Sequence, residues 1–240
     1  MKKFFIEKNN LNENTAVVSG DEFLHLSKVL RSQVGEKIQL ITGDEFIYTA
    51  EITQITKHEA ECLILKKEFC LANPKINITI FQGLPKGEKL ELIIQKTSEL
   101  GASAIVPFES HFTIAKNNIL KLPRLQKIAQ EACKQCGRSK PLEIKPTIKF
   151  KEIPLLLKEY DVAVFMYENA PTFNSVSTLT SKIQNAKTIA IIVGSEGGFS
   201  KEESDLLLNS AEKISLGKRI LRTETATIAM CGYISFLTNN

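Results

Sequence analysis

Most of the usual catalytic equipment is absent from this 240-residue chain. The five cysteines, Cys62, Cys70, Cys133, Cys136 and Cys231, are odd in number and scattered, which argues against a disulfide framework. Cys133 and Cys136 form one CxxC pair, but zinc needs a second pair or nearby histidines, and His25, His58 and His111 offer no ligand spacing. No metal is therefore expected. No GxxxxGK[ST] phosphate loop occurs, and Gly194-Ser-Glu-Gly-Gly has the wrong spacing for the GxGxxG dinucleotide fingerprint. No Ser-His-Asp set or activated nucleophile is visible. No apolar run reaches membrane-spanning length, and Met1-Lys-Lys-Phe-Phe-Ile gives way to Glu7, Lys8 and Asn9 where a signal peptide would stay apolar. The expectation is a cytoplasmic protein that makes no use of a membrane.

What is present is ordinary globular composition, with 43% hydrophobic and 24% charged residues, enough for one large domain or two modest ones. The net charge of +4 is mild but unevenly spread. Residues 116 to 151 hold ten Lys or Arg against only Glu131 and Glu143. Such a local excess concentrates a polyanion, so an RNA-facing surface is one reading, and a solvated basic helix face is the other.

The chain is organised around Thr188-Ile-Ala-Ile-Ile-Val-Gly-Ser-Glu-Gly-Gly-Phe-Ser200. An unbroken β-branched run from Ile189 to Val193 leaves no polar face, so it reads as a strand buried on both sides of a parallel sheet. Gly194, Gly197 and Gly198 then let main-chain groups line a small-molecule pocket at the strand's carboxyl end. Ser200, with Glu202 and Glu203 behind it, reads as the cap of a following helix. Lys213 to Leu216 offers a short strand ending at Gly217, and Thr223 or Thr225 caps a last helix to about Leu237.

Residues 1 to 72 show five short β-like runs and a helical stretch from Asp21 to Leu30, the pattern of a small barrel. His25, Lys28 and Arg31 lie three apart, which on a helix places them near one face able to meet phosphate or base, or simply solvent. Asn73-Pro74 marks a linker. From there to residue 240 strand and helix alternate, which calls for a parallel α/β sheet.

Gly194-Ser-Glu-Gly-Gly-Phe-Ser, paired with Ser215-Leu-Gly-Lys-Arg-Ile-Leu-Arg-Thr-Glu-Thr-Ala226, resembles the signature segments of SPOUT-class RNA methyltransferases. Within that class the chain is similar to the bacterial family that methylates uridine N3 in 16S ribosomal RNA. Gln95-Lys-Thr-Ser-Glu-Leu-Gly101 and Glu131-Ala-Cys-Lys-Gln-Cys-Gly-Arg138 look like two further family segments. His25 to Arg31, Gly35 and Gly43-Asp44 are similar to its PUA-like RNA-binding domain. Two departures stand out: Lys134 replaces an acidic residue, and Ser195 stands where proline is usual. The resemblance implies a PUA-like β-barrel over 1–72 and a SPOUT trefoil-knot domain over 73–240. It implies S-adenosylmethionine held by Gly194, Glu196, Gly197, Gly198, Leu216, Gly217, Ile220, Leu221 and Thr225. It also implies 16S rRNA as partner, within the small ribosomal subunit, and a homodimer in which Ile228, Met230, Tyr233, Ile234 and Leu237 meet a second subunit.

The chemistry needs little reactive machinery, because a sulfonium methyl is already electrophilic and the protein's task is alignment. Uridine N3 must lose a proton and expose its pairing edge. A cation beside O2 or O4 stabilises the developing anion. Arg222 is the first candidate for that role and Arg138 the second, with Glu224 or Glu196 orienting the arginine or accepting the proton. For RNA contact the candidates are His25, Lys28, Arg31, Lys134 and Arg138, the last suited equally to a loop carboxylate or a phosphate. Two rivals stay open: a nonenzymatic rRNA-binding protein, and a methyltransferase acting on a ribose 2′-hydroxyl or a tRNA base.

Overall fold

The computed structural model describes residues 1–113, 120–167 and 176–238. Two compact units emerge, Met1–Asn73 with Cys133–Pro141, and Pro74–Ala132 with Leu142–Asn240.

The first unit contains β1 (Lys3–Phe5), β2 (Thr15–Ser19), α1 (Gly20–Leu24), β3 (Lys37–Ile41), β4 (Phe46–Ile55) and β5 (Glu59–Phe69). Its five strands form one curled sheet in the order β1-β3-β4-β5-β2, antiparallel except for the β1–β3 pair. Period-two alternation turns Ile38, Leu40, Tyr48, Ala50, Ile52, Ala60 and Cys62 inward onto Phe4 and Leu26. Register shifts between β4 and β5 at Thr49/Ala50 and Ile52/Gln54 bend the long hairpin around that core.

The expected helix over 21–30 is real but not uniform. α1 widens into a π turn over His25–Val29, closed by the Leu30 amide on the His25 carbonyl at 2.9 Å. Ser27 Oγ donates back to the Phe23 carbonyl at 2.8 Å, a bond that competes with the helical ladder. Arg31 follows with a left-handed backbone, φ 46°. His25, Lys28 and Arg31 therefore do not share a single helical face, because the widened turn breaks the three-residue repeat and Arg31 has left the helix.

Residues Cys133–Pro141 of this unit carry two of the residues expected to meet RNA. Lys134 keeps only 6% of its side chain exposed and pairs with Glu22 at 2.8 Å. Arg138 is 3% exposed. Next to them, Ser139 Oγ donates to the Asp44 carbonyl at 2.6 Å, and Asn73 Oδ1 accepts from the Ser139 and Lys140 amides. Lys134 and Arg138, the expected RNA-contacting residues of this segment, are thus buried side chains in a stretch that hydrogen bonds hold in place.

The second unit adds β6 (Asn77–Gly83), α2 (Lys89–Glu99), β7 (Ala104–Glu109), α3 (Leu122–Cys136, whose last turn belongs to the first unit), β8 (Glu143–Ile144), β9 (Ile148–Lys149) and α4 (Ile153–Leu156). It continues with β10 (Val162–Met166), α5 (Val176–Asn185), β11 (Thr188–Val193), α6 (Lys201–Leu208), β12 (Glu212–Ile214) and α7 (Thr223–Thr238). Its sheet is parallel throughout, in the order β12-β10-β11-β6-β7-β8, with β9 also on β7. Ile189 and Ile191 enter a core with residues of α2, α5 and α7, while Ala190 and Ile192 enter another with Phe81, Phe165 and Leu207. Both faces of β11 are buried, which is the physical reason for its unbroken apolar run.

After β12 at the sheet's edge the chain returns to α7, which packs on β6, β11, α2 and α5. Met230 and Ile234 are fully buried in this chain's own core, and Tyr233 Oη lies 2.9 Å from Thr180 Oγ1. Tyr233 and Leu237 also pack against that core. Four of the five α7 residues expected to meet a second subunit, Met230, Tyr233, Ile234 and Leu237, thus pack on their own chain, because the helix crosses the middle of the sheet. Phe236, by contrast, is 82% exposed.

Candidate functional site

At the carboxyl end of β11 the backbone is crowded in a way only glycine permits. A Cβ on Gly83, at the end of neighbouring β6, would stand 2.4 Å from the Ser195 nitrogen and 2.8 Å from the Gly194 carbonyl carbon. A Cβ on Gly197 would stand 2.6 Å from Phe112 Cβ. Gly198 turns the loop with φ 65°, its amide donating to the Ser195 carbonyl at 3.0 Å. α6 then starts on a full capping box: Ser200 Oγ accepts from the Glu203 amide, and Glu203 Oε2 accepts from the Ser200 amide at 2.9 Å. Glu203 Oε1 also accepts from the His111 amide at 2.8 Å, which fixes the neighbouring loop.

A buried polar knot joins this loop to α7. Thr223 Oγ1 donates to the Gly194 carbonyl at 2.6 Å and accepts from Gln82 Nε2 at 2.9 Å. Thr227 Oγ1 donates to Gln82 Oε1 at 2.6 Å. All three side chains are nearly or wholly inaccessible, with Gln82 and Thr227 at 0% exposure. Buried amides and hydroxyls remain stable only when paired in this way, since an orphaned partner costs about 1–3 kcal/mol.

The loop, the ends of β10 and β12, and the start of α7 enclose a pocket of about 580 Å³, within the usual range for small-molecule sites. Met166, Val193, Ile214, Leu216, Leu221 and Ala226 supply apolar wall, and Lys89, Glu196, Arg219 and Arg222 supply charge. Lys89 Nζ pairs with Glu196 at 2.6 Å and lies 3.9 Å from Glu224 Oε2. Burial works to raise the Glu196 pKa, but hydrogen bonds from Lys89 and from the backbone, including the Lys86 amide, outweigh it and hold the carboxyl below its ordinary value. Arg219 and Arg222 are exposed at the rim.

Among the sequence-derived candidates, Gly194, Glu196, Gly198, Leu216, Ile220, Leu221 and Arg222 line this pocket. Gly197, Gly217 and Thr225 do not. Gly197 backs onto Phe112, and Gly217, at φ 112°, turns its carbonyl to Ser215 Oγ at 2.9 Å. Thr225 is exposed because α7 begins at Thr223, so Thr225 is the helix's third residue and neither caps it nor faces the pocket. Glu224 stands just behind the wall with 12% of its side chain exposed. Arg138, His25, Lys28 and Arg31 belong to the first unit. Sequence reasoning missed Lys89, Gln82 and Thr227, and weighed Thr223 only as a cap. Their partners lie far away in the chain, and no local spacing announces them.

The family profile for the RNA methyltransferase domain matches residues 72–235, and that for the RNA methyltransferase PUA domain matches residues 18–65. The chain is 32% identical to the ribosomal RNA small subunit methyltransferase E of Bacillus subtilis, covering 99% of this chain and 97% of that protein. It is 33% identical to the protein of the same name from Buchnera aphidicola of Acyrthosiphon pisum, covering 94% and 89%. The crystal structure of ribosomal RNA small subunit methyltransferase E from Neisseria gonorrhoeae bound to S-adenosyl methionine superposes with a TM-score of 0.84 at 30% identity, covering 99% of this chain and 98% of that one.

Proposed function

Because the chain belongs to the RNA methyltransferase family whose members join a methyltransferase domain to a PUA domain, we propose that it methylates N3 of a uridine in 16S ribosomal RNA, using S-adenosylmethionine. The coarser statement, an S-adenosylmethionine-dependent methyltransferase of ribosomal RNA, follows from the relatives. The uridine-N3 acceptor is the finer proposal. So are a cytoplasmic homodimer acting on the small ribosomal subunit, and a division of labour in which residues 1–72 grip RNA and 73–240 carry the chemistry.

One observation supports the cofactor reading above the others: the pocket wall is main chain and apolar side chain, with charge confined to a few groups. The Gly194–Gly198 turn brings backbone donors and acceptors within reach of a nucleoside, and Leu216, Ile220 and Leu221 offer apolar surface for its base. Lys89, Glu196 and Arg219 suit the charged amino-acid end. Bound S-adenosylmethionine would supply an electrophilic methyl group that needs no activation by the protein. The chain's own residues align the acceptor and manage one proton.

Exposure of Arg222 at the rim supports a role for it in stabilising negative charge that grows on a uracil oxygen as N3 is deprotonated. Glu196 is engaged by Lys89 and an amide and held ionised, so it positions Lys89 and is a poor proton acceptor. Glu224, whose contact with Lys89 is long at 3.9 Å, is the carboxylate proposed to take the N3 proton. The test is to incubate 16S rRNA and small subunits from cells lacking the protein with labelled S-adenosylmethionine, then to map the modified nucleotide. Label on N3 of one uridine supports the proposal. Label on a ribose 2′-hydroxyl or on tRNA moves the acceptor, and no cofactor binding by calorimetry leaves an RNA-binding protein.

A further inference from the structure

The loop that follows β7 is held from within and turned outward at its tip. Ser110 and Thr113, each 4% exposed, close it: the Ser110 amide donates to Thr113 Oγ1 at 2.8 Å, and the Thr113 amide donates to the Ser110 carbonyl at 3.2 Å. The His111 amide donates to Glu203 Oε1 at 2.8 Å and ties the loop to α6. Between these anchors Phe112 is 46% exposed, and its ring meets that of His111, itself exposed, in a T-shaped pair with centroids 4.8 Å apart. The root of the Phe112 side chain sits against the glycine turn. A Cβ on Gly197 would stand 2.6 Å from Phe112 Cβ and 3.4 Å from its Cγ, so the bare backbone at Gly197 makes room for this residue.

β7 and β11 run parallel in one sheet, so the loop and the pocket share the sheet's carboxyl edge. Glu196 and Gly198 line the pocket, whereas Gly197 between them backs onto Phe112. The aromatic residue thus stands beside the pocket and outside it. An acceptor base has to leave its stack to meet a methyl group, which deprives its neighbours of a stacking partner. Aromatic side chains are what proteins offer to unstacked bases of single-stranded RNA.

We propose that Phe112 is a base-stacking contact for the RNA substrate and receives a nucleobase next to the methylated one. Because Phe112 does not line the pocket, its base is a neighbour of the acceptor and not the acceptor itself. This rests on the reading of the pocket as the site of RNA methylation. The bonds at Ser110, Thr113 and Glu203 fix the loop before RNA arrives, so little ordering is required on binding.

The experiment is single-turnover methyl transfer from S-adenosylmethionine to small ribosomal subunits and 16S rRNA from cells lacking the protein, by the parent and its Phe112→Leu, Phe112→Ala and Phe112→Tyr variants. Titration with S-adenosylhomocysteine, thermal unfolding and sedimentation accompany each. Phe112→Leu keeps an apolar side chain against Gly197 but has no aromatic face. It and Phe112→Ala are expected to raise the RNA concentration for half-maximal rate about tenfold, and Phe112→Tyr to stay within about twofold of the parent. Cofactor affinity, unfolding temperature and mass of Phe112→Leu are expected to match the parent's. A half-maximal RNA concentration for Phe112→Leu within about twofold of the parent overturns the proposal. So does a parallel loss of S-adenosylhomocysteine affinity, which assigns the residue to the turn, and so does a change in mass, which assigns it to contact between copies of this chain. A parent that binds the cofactor yet methylates no RNA would instead remove the reading of the pocket beneath it.

Discussion

Lys134 and Arg222 are both cations in stretches with excess positive charge, yet they end in different surroundings. Lys134 is buried and paired with Glu22 at 2.8 Å, whereas Arg222 is exposed at the pocket rim. Three further cations of the basic segment are paired while exposed: Arg124 with Glu91 at 2.8 Å, Lys140 with Glu45 at 2.8 Å, and Lys145 with Glu143 at 2.6 Å. Lys116, where that segment begins, lies outside the described residues. A count of charges along the chain cannot tell a neutralised cation from an available one. The acidic partners of Lys134 and Lys140 lie about a hundred residues upstream, and only the fold brings them together.

That contrast can be broken or sharpened in order of expected effect. Gly83→Ala touches no charge, but its Cβ meets backbone, so it should disrupt the pocket most: about 3 kcal/mol of stability by urea unfolding, with cofactor affinity lost alongside. Glu22→Ala strips a carboxylate partner from a buried ammonium and should destabilise the protein by about 2 kcal/mol while leaving cofactor affinity unchanged. Arg222→Ala should do the reverse, leaving unfolding and cofactor affinity near those of the parent and lowering turnover at least about tenfold in single-turnover assays. Equal loss of affinity and turnover would put Arg222 in the cofactor shell. Lys145→Ala, at an exposed pair, should change stability by less than about 0.5 kcal/mol.

A pH series probes the carboxylate side of the pocket. The folded-state pKa of Glu196 is lowered, so its contribution to stability is present above the ordinary carboxylate range and is lost as pH falls through the folded value. The gap in unfolding temperature between the parent and Glu196→Gln should therefore narrow on acidification from neutrality. A gap independent of pH would mean that the Lys89 bond does not depend on charge.

The second unit was the more legible region. Ile189 to Val193, the glycines after them and the Ser200 cap could be read from local sequence because each satisfies a local requirement: two buried faces, a backbone without Cβ, an amide needing an acceptor. The polar knot of Gln82, Thr223 and Thr227 was not legible, since the partners of Gln82 are more than a hundred residues on. The π turn at His25 escaped for a related reason. Leu26 within it is fully buried, and the residue spacing over Asp21 to Leu30 reads as an ordinary helix. In α7 an apolar stripe reads alike whether it covers a partner or its own sheet, and Met230 and Ile234 are buried within this chain.

The bond from Thr223 to the Gly194 carbonyl has a temporal meaning for a protein that is made from one end to the other. While translation has reached only α6, the glycine turn lacks its latch and Gln82 lacks both hydroxyls. Nascent polypeptide should therefore emerge from the ribosome without a competent site, and competence should switch on abruptly when the last helix clears the exit tunnel and docks.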